Sequence, residues 1–148
     1  MNGFGAQLYH KVGVDSGVAA AHPHHLVLML FDGVLEAVRL ARSHLAGGRV
    51  AEKGKALGKA VRIVEEGLKA SLDRRSGGVL AGQLAQLYDY ASLRLLQANL
   101  RNDRAALDEV ERLLGELRGA WARIDPEVRP AAKTAAEATP AGRIAVSA

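Results

Sequence analysis

An all-α fold, an antiparallel four-helix bundle, is what this sequence predicts, with an irregular N-terminal segment over 1–22 and a disordered tail over 125–148. Three observations point to it. Four stretches of roughly twenty residues repeat apolar side chains at steps of three and four, the period of a helix with one buried face. Short turn-forming runs separate them: Gly47-Gly48, the run DRRSGG from Asp73 to Gly78, and Asn102-Asp103. The composition is 49% hydrophobic but only 4% aromatic, rich in Ala and Leu, which favours packed helices over strands. A chain of 148 residues suits one domain with one core, so the bundle takes 23–124.

The first helix runs from Pro23 to Leu45. Proline fits the first helical position because the N–H it lacks would find no partner there. Leu26, Val27, Leu28, Met29, Leu30 and Phe31 follow in an unbroken run, then Val34, Leu35, Val38, Ala41 and Leu45 at helical spacing. A surface helix needs one apolar stripe. The first two turns here are apolar all round and must be covered on more than one side. Gly33, inside the helix, costs about 1 kcal/mol relative to Ala and marks close approach of another backbone. Ahead of Pro23, Leu8, Tyr9, Val12 and Val14 are unusual for a free tail, and are expected to lie on the first helix.

The second helix, Val50 to Leu72, carries two stripes. Val50, Gly54, Leu57, Val61, Val64, Leu68 and Leu72 form one, apolar enough for a core. Ala56, Ala60, Ile63, Gly67 and Ala70 form the other, small and shallow, the profile of a strip into which another helix presses. The third helix, about Val79 to Arg101, has Leu80, Leu84, Leu87, Ala91, Leu95 and Ala98 on one face. Tyr88, Leu93, Leu96 and Leu100 widen its apolar arc. Asp103 is a good N-cap for the fourth helix, Arg104 to Ile124, where Leu107, Val110, Leu114, Leu117, Trp121 and Ile124 form a clean seam. Gly115 and Gly119 fall on its polar side without an evident reason. The remaining residues hold three of the four prolines and no sustained stripe, so they are expected to be disordered.

No catalytic chemistry can be assembled, and no cofactor is expected. The absence of cysteine removes disulfides, thiolate metal sites and a Cys nucleophile, and fits a reducing cytoplasm. His22, His24 and His25 lack the three- or four-residue spacing that places ligands on one helical face, so they read as a polar lead-in rather than a metal site. No glutamate has a histidine three residues later, as a di-iron bundle would need. His44 stands at a helix end rather than exposed mid-helix, which argues against phosphotransfer. Carboxylate pairs such as Asp32/Glu36 and Asp108/Glu111 read as solvated faces. The net charge of +4 is spread along the chain without aromatic platforms, so nucleic acid is not expected as a partner. No apolar run reaches the ~20 residues of a membrane span, and no basic lead precedes an apolar core at the N-terminus.

Several runs together resemble one family. They are Tyr9 with Val12-Gly13-Val14, Pro23 with Leu26 through Gly33, Ser71-Leu72-Asp73, Gly77-Gly78, Leu87-Tyr88-Asp89-Tyr90, Arg94 through Asn99, Asn102-Asp103 and Trp121. The stretch from Leu87 to Asp103, at its distance from the first-helix motif, is the most specific. Over about Tyr9 to Ile124 the chain resembles the flagellar secretion chaperone FliS family. It departs from that pattern at His22, where the family usually has serine, and at Phe31, where tyrosine is frequent.

The resemblance implies a cytoplasmic, non-enzymatic bundle. Such a protein binds the disordered C-terminal segment of flagellin, prevents early polymerisation and helps deliver it to the export gate, with flagellar regulators as further partners. The segment around Tyr9 would act as a movable cover. The expected partner-binding residues are Leu8, Tyr9, Phe31, Ala56, Ala60, Ile63, Gly67 and Tyr88. The surplus of apolar surface agrees, because helix-in-groove binding would supply the missing cover. Ile63→Asp is expected to weaken the client without unfolding the bundle. The alternative is a helical adaptor that binds a structured regulator through the same surface.

Overall fold

The computed structural model describes residues 22–124; the segment before it, with Leu8 and Tyr9, and residues 125–148 lie outside the described residues. Four helices follow one another in the order α1 (Pro23–Ala46), α2 (Val50–Arg62), α3 (Arg74–Arg101) and α4 (Arg104–Arg123), and α2 runs on as a π-helical segment over Ile63–Lys69. Each helix packs on its neighbours in sequence, and α4 closes the ring against α1. This is the antiparallel four-helix bundle that the spacing predicts.

The helix ends follow from their local chemistry. At α1, Pro23 holds the first position and His22 does the work of a hydroxyl cap: its Nδ1 accepts from the His24 N–H at 3.2 Å. Gly48, at φ +74°, then turns the chain toward α2 in a conformation side chains with a Cβ resist. At α3, Asp73 accepts from the backbone N–H groups of Arg75 and Ser76 at 3.1 and 3.0 Å. The opening turn it caps is not continuous with the main helix. Gly78 breaks it at φ 59°, ψ −134°, and the regular helix starts after that residue. Asn102 ends α3 in the left-handed region, and the Asp103 carboxylate accepts from the Ala106 N–H at 3.2 Å to start α4.

The bonds from Ser76 and then Arg75 hold the Asp73 carboxyl below the usual carboxylate range. A depressed pKa contributes stability that is present above the ordinary aspartate value and lost as pH falls through the folded one. Asp73→Ala is therefore expected to lower the melting temperature at neutral pH. The gap to the parent should close as the pH is taken down below the folded value. Thermal melts at stepped pH check this, and a gap constant with pH would contradict it.

Two elements differ from the sequence expectation: α3 opens with a capped helical turn from Arg74, where the sequence predicts a turn-forming run up to Gly78, and the second helix changes type. The second helix does not stay α-helical to Leu72; from Ile63 its bonding widens to the i→i+5 pattern and ends at Lys69. The wide turns keep Ile63, Val64, Gly67 and Leu68 inside while Glu65 and Glu66 remain at the rim. A period-based reading cannot separate the two here, because the buried pairs Ile63/Gly67 and Val64/Leu68 are four apart, a spacing that both helix types bring to one face.

The core is built on α1. Val27, Leu30, Phe31, Val34, Leu35 and Val38 are all buried in one cluster with α2, the π segment, α3 and α4. The all-round apolar start of α1 is thus covered on several sides, with Leu26, Leu28 and Met29 half-buried. Small buried residues, Ala37 and Ala41 on α1 and Ala60 on α2, allow the close approach of those two helices.

Ion pairs record the α1–α4 register. Asp32 meets Arg118 at 2.7 Å, Arg39 meets Glu111 at 2.9 Å, and Arg42 meets Asp108 at 3.0 Å and also Glu111. Moving seven and then three residues along α1 moves the partner back by the same steps along α4, as antiparallel packing requires. Exposed pairs of this kind contribute about 0–1 kcal/mol each, so they mark the register more than they hold it. At the far end, the Trp121 Nε1–H donates to the His24 carbonyl at 2.9 Å, His24 Nε2 bonds the Trp121 carbonyl at 2.8 Å, and the rings stack 5.3 Å apart.

Candidate protein-docking surface

The sequence-expected contact residues divide by depth. Ala60 and Ile63 have no exposed surface, and Phe31, Gly67 and Tyr88 are buried with them; Ala56 is half-buried. Phe31 and Tyr88 face each other across the core, ring centroids 6.5 Å apart and tilted by 55°. Burial pushes the Tyr88 phenol well above its ordinary pKa, so it stays neutral. These side chains belong to the interior. The expectation that Ile63 would accept aspartate without unfolding is corrected here, because its surroundings are apolar and closed.

The open apolar surface lies on α3. Leu93, Leu96 and Leu100 are 51%, 51% and 84% exposed, at steps of three and four along one face. Val79 continues the same line two heptads back from Leu93. The sequence carried this signal, as the widened arc of the third helix, but nothing in one chain's periodicity tells a broad core face from a face left open. Val50 is a further correction. It reads as a member of the α2 core stripe and is instead 52% exposed, because it is the first residue of its helix and projects past the core.

Polar contacts set this face against its neighbours. Lys53, only 2% exposed, donates through Nζ to the Asn99 carbonyl at 2.9 Å and to Asn99 Oδ1 at 2.7 Å. It meets there the partial negative charge of the α3 C-terminus, and no carboxylate among the described residues. Further along, Ser92 donates to Glu65 at 2.7 Å, and Lys69 reaches Asp89 at 2.6 Å. The Asp89 bond raises the Lys69 pKa. These contacts fix the antiparallel register of α2 and α3, which places Ala56 level with Leu96. On the other flank Arg94 donates to Glu109 at 2.8 Å and Tyr90 donates to the same carboxylate. The Tyr90 bond, then that from Arg94, holds Glu109 below the usual carboxylate range.

Among the described residues no three His, Cys, Asp or Glu side chains gather as a metal site would need, and no helix is long and apolar enough to cross a membrane. What the surface offers is a ridge of leucines at helical spacing, braced on both sides by ion pairs and hydrogen bonds.

A family profile described as "Flagellar protein FliS" matches residues 5–128. The chain belongs to the FliS family. It is 50% identical over 123 residues to the flagellar secretion chaperone FliS of Salmonella typhimurium, covering 83% of this chain and 91% of that one. It is 46% identical over 117 residues to the Escherichia coli protein of the same name, covering 79% and 86%. The Bacillus subtilis FliS is 37% identical over 107 residues, covering 72% and 78%. FliS proteins are flagellar secretion chaperones and not enzymes, in keeping with a bundle whose distinctive surface is an open apolar face.

Proposed function

We propose that the chain is a cytoplasmic export chaperone that binds the disordered C-terminal segment of flagellin. It keeps that segment from polymerising early and assists its delivery to the flagellar type III export apparatus. The observation that carries the reading is the exposed stripe Leu93, Leu96 and Leu100 on a chain of this family. An unfolded client laid on it as an amphipathic helix would cover the leucines and, in the same step, order its own backbone. Ala56, level with Leu96, extends the strip onto α2. Phe31, Ala60, Ile63, Gly67 and Tyr88 support it from beneath, and Leu8 and Tyr9 serve as the cover that yields to the client.

Calorimetric titration of the full chain with a flagellin C-terminal segment tests this. Coupled folding gives a large negative heat-capacity change on binding. Leu96→Asp, at an exposed position, is expected to leave the melting temperature near that of the parent. It should weaken the segment by about 10- to 100-fold, the loss of one buried leucine. Binding without a heat-capacity change, or an affinity indifferent to Leu96→Asp, would remove α3 as the client face.

A further inference from the structure

Charge is unevenly placed on this bundle. By sequence, the end where α1 turns into α2 and α3 into α4, residues 39–59 with 94–112, holds ten lysines and arginines against five carboxylates. The other described residues hold six against seven, and the residues outside 22–124 are balanced at four and four. The whole surplus of the chain therefore sits at one end. Four of the seven exposed large apolar side chains lie there too, Leu40, Val50, Leu96 and Leu100, and Leu93 is one residue outside. Arg101 follows Leu100 directly, and Arg104 stands three residues on, across a tight turn. Both are exposed, and neither forms an ion pair among the described residues; Arg104, at the start of α4, also lines an opening on the α1 side with Arg42, Asp108, Glu111 and Arg112.

These facts select among occupants of the α3 face. A second copy would bring two positive ends together, which is unfavourable. A nucleic-acid surface would interleave its basic residues with aromatic platforms, whereas this one has leucines at i, i+3 and i+7. That spacing is the complement of another helix's apolar ridge. We propose that the segment docking on α3 is an acidic amphipathic helix, its apolar ridge on Leu93, Leu96 and Leu100 and its carboxylates toward Arg101 and Arg104. This rests on α3 being the client face and adds the chemistry that the client brings to it. Charge matching of this kind acts mainly on encounter rate and partner choice and is screened by salt.

The experiment uses the full chain and two synthetic peptides. One carries leucine at i, i+3 and i+7 flanked by glutamates; the other has glutamine in place of every glutamate. At low salt the acidic peptide is expected to bind about tenfold more tightly, with the preference fading in molar salt. An Arg101→Glu, Arg104→Glu double variant should erase that preference, keep the melting transition and leave the glutamine peptide's affinity unchanged. Equal binding of the two peptides, or a preference untouched by the double variant, overturns the proposal. So does tighter binding of anionic phospholipid vesicles or a short DNA duplex through the same arginines. A flagellin C-terminal segment titrated in parallel separates the two readings. If it binds through Leu96 while the acidic preference is absent, only the charge proposal falls. If it does not bind at all, the client reading falls, whatever the peptides show.

Discussion

Ile63→Asp is expected to abolish cooperative folding of the bundle. Ile63 has no exposed surface and sits in the π-helical segment against α1 and α3. An ionised carboxylate there has no cation to meet, and burying it costs several kcal/mol even after relaxation. Domains of this size are stable by only about 5–15 kcal/mol, so one such substitution removes much or all of the margin. Circular dichroism melts would show a lost or strongly lowered transition. Leu96→Asp makes the same chemical change on the open face of α3 and should leave the transition nearly in place. A folded, parent-like Ile63→Asp would mean that the π segment opens readily to water.

Phe31→Ala is the second large effect. The ring is buried at the centre of the core, with Tyr88 tilted against it. Removing it deletes transfer energy and leaves a cavity that rigid helices on several sides cannot close, at about 3–5 kcal/mol. Denaturant unfolding should show the midpoint fall with little change in slope. In a double-mutant cycle with Tyr88→Leu, the ring–ring contact should appear as a coupling of about 0.5–1.5 kcal/mol. A loss below about 1 kcal/mol for Phe31→Ala would show that the cluster repacks, and would move the centre of the core elsewhere on α1.

Much of this architecture is legible residue by residue. Pro23, Gly47-Gly48, Asp73, Gly78 and Asn102-Asp103 stop and start helices through bonds within a few residues of themselves, so local chemistry places them without knowledge of the rest. The His22 cap departs from the usual hydroxyl, yet its ring nitrogen satisfies the same backbone donor. The π segment was not legible, because widening the turn leaves the spacing of apolar residues almost unchanged.

The candidate surface divides along the same line. Sequence alone determined the helices, their order, the family and the presence of more apolar faces than one bundle core requires. It could not say which faces stay open. The shallow α2 strip and the α3 arc look alike as patterns, and only packing decides between them. Ala60 and Ile63 ended inside, while Leu93, Leu96 and Leu100 stayed half or more exposed. Lys53 and Asn99 make the same point, since a lysine 46 positions away from its acceptors gives no local sign that it will be buried. Periodicity reports what one helix presents; burial is a relation between helices, and it exists only once they have met.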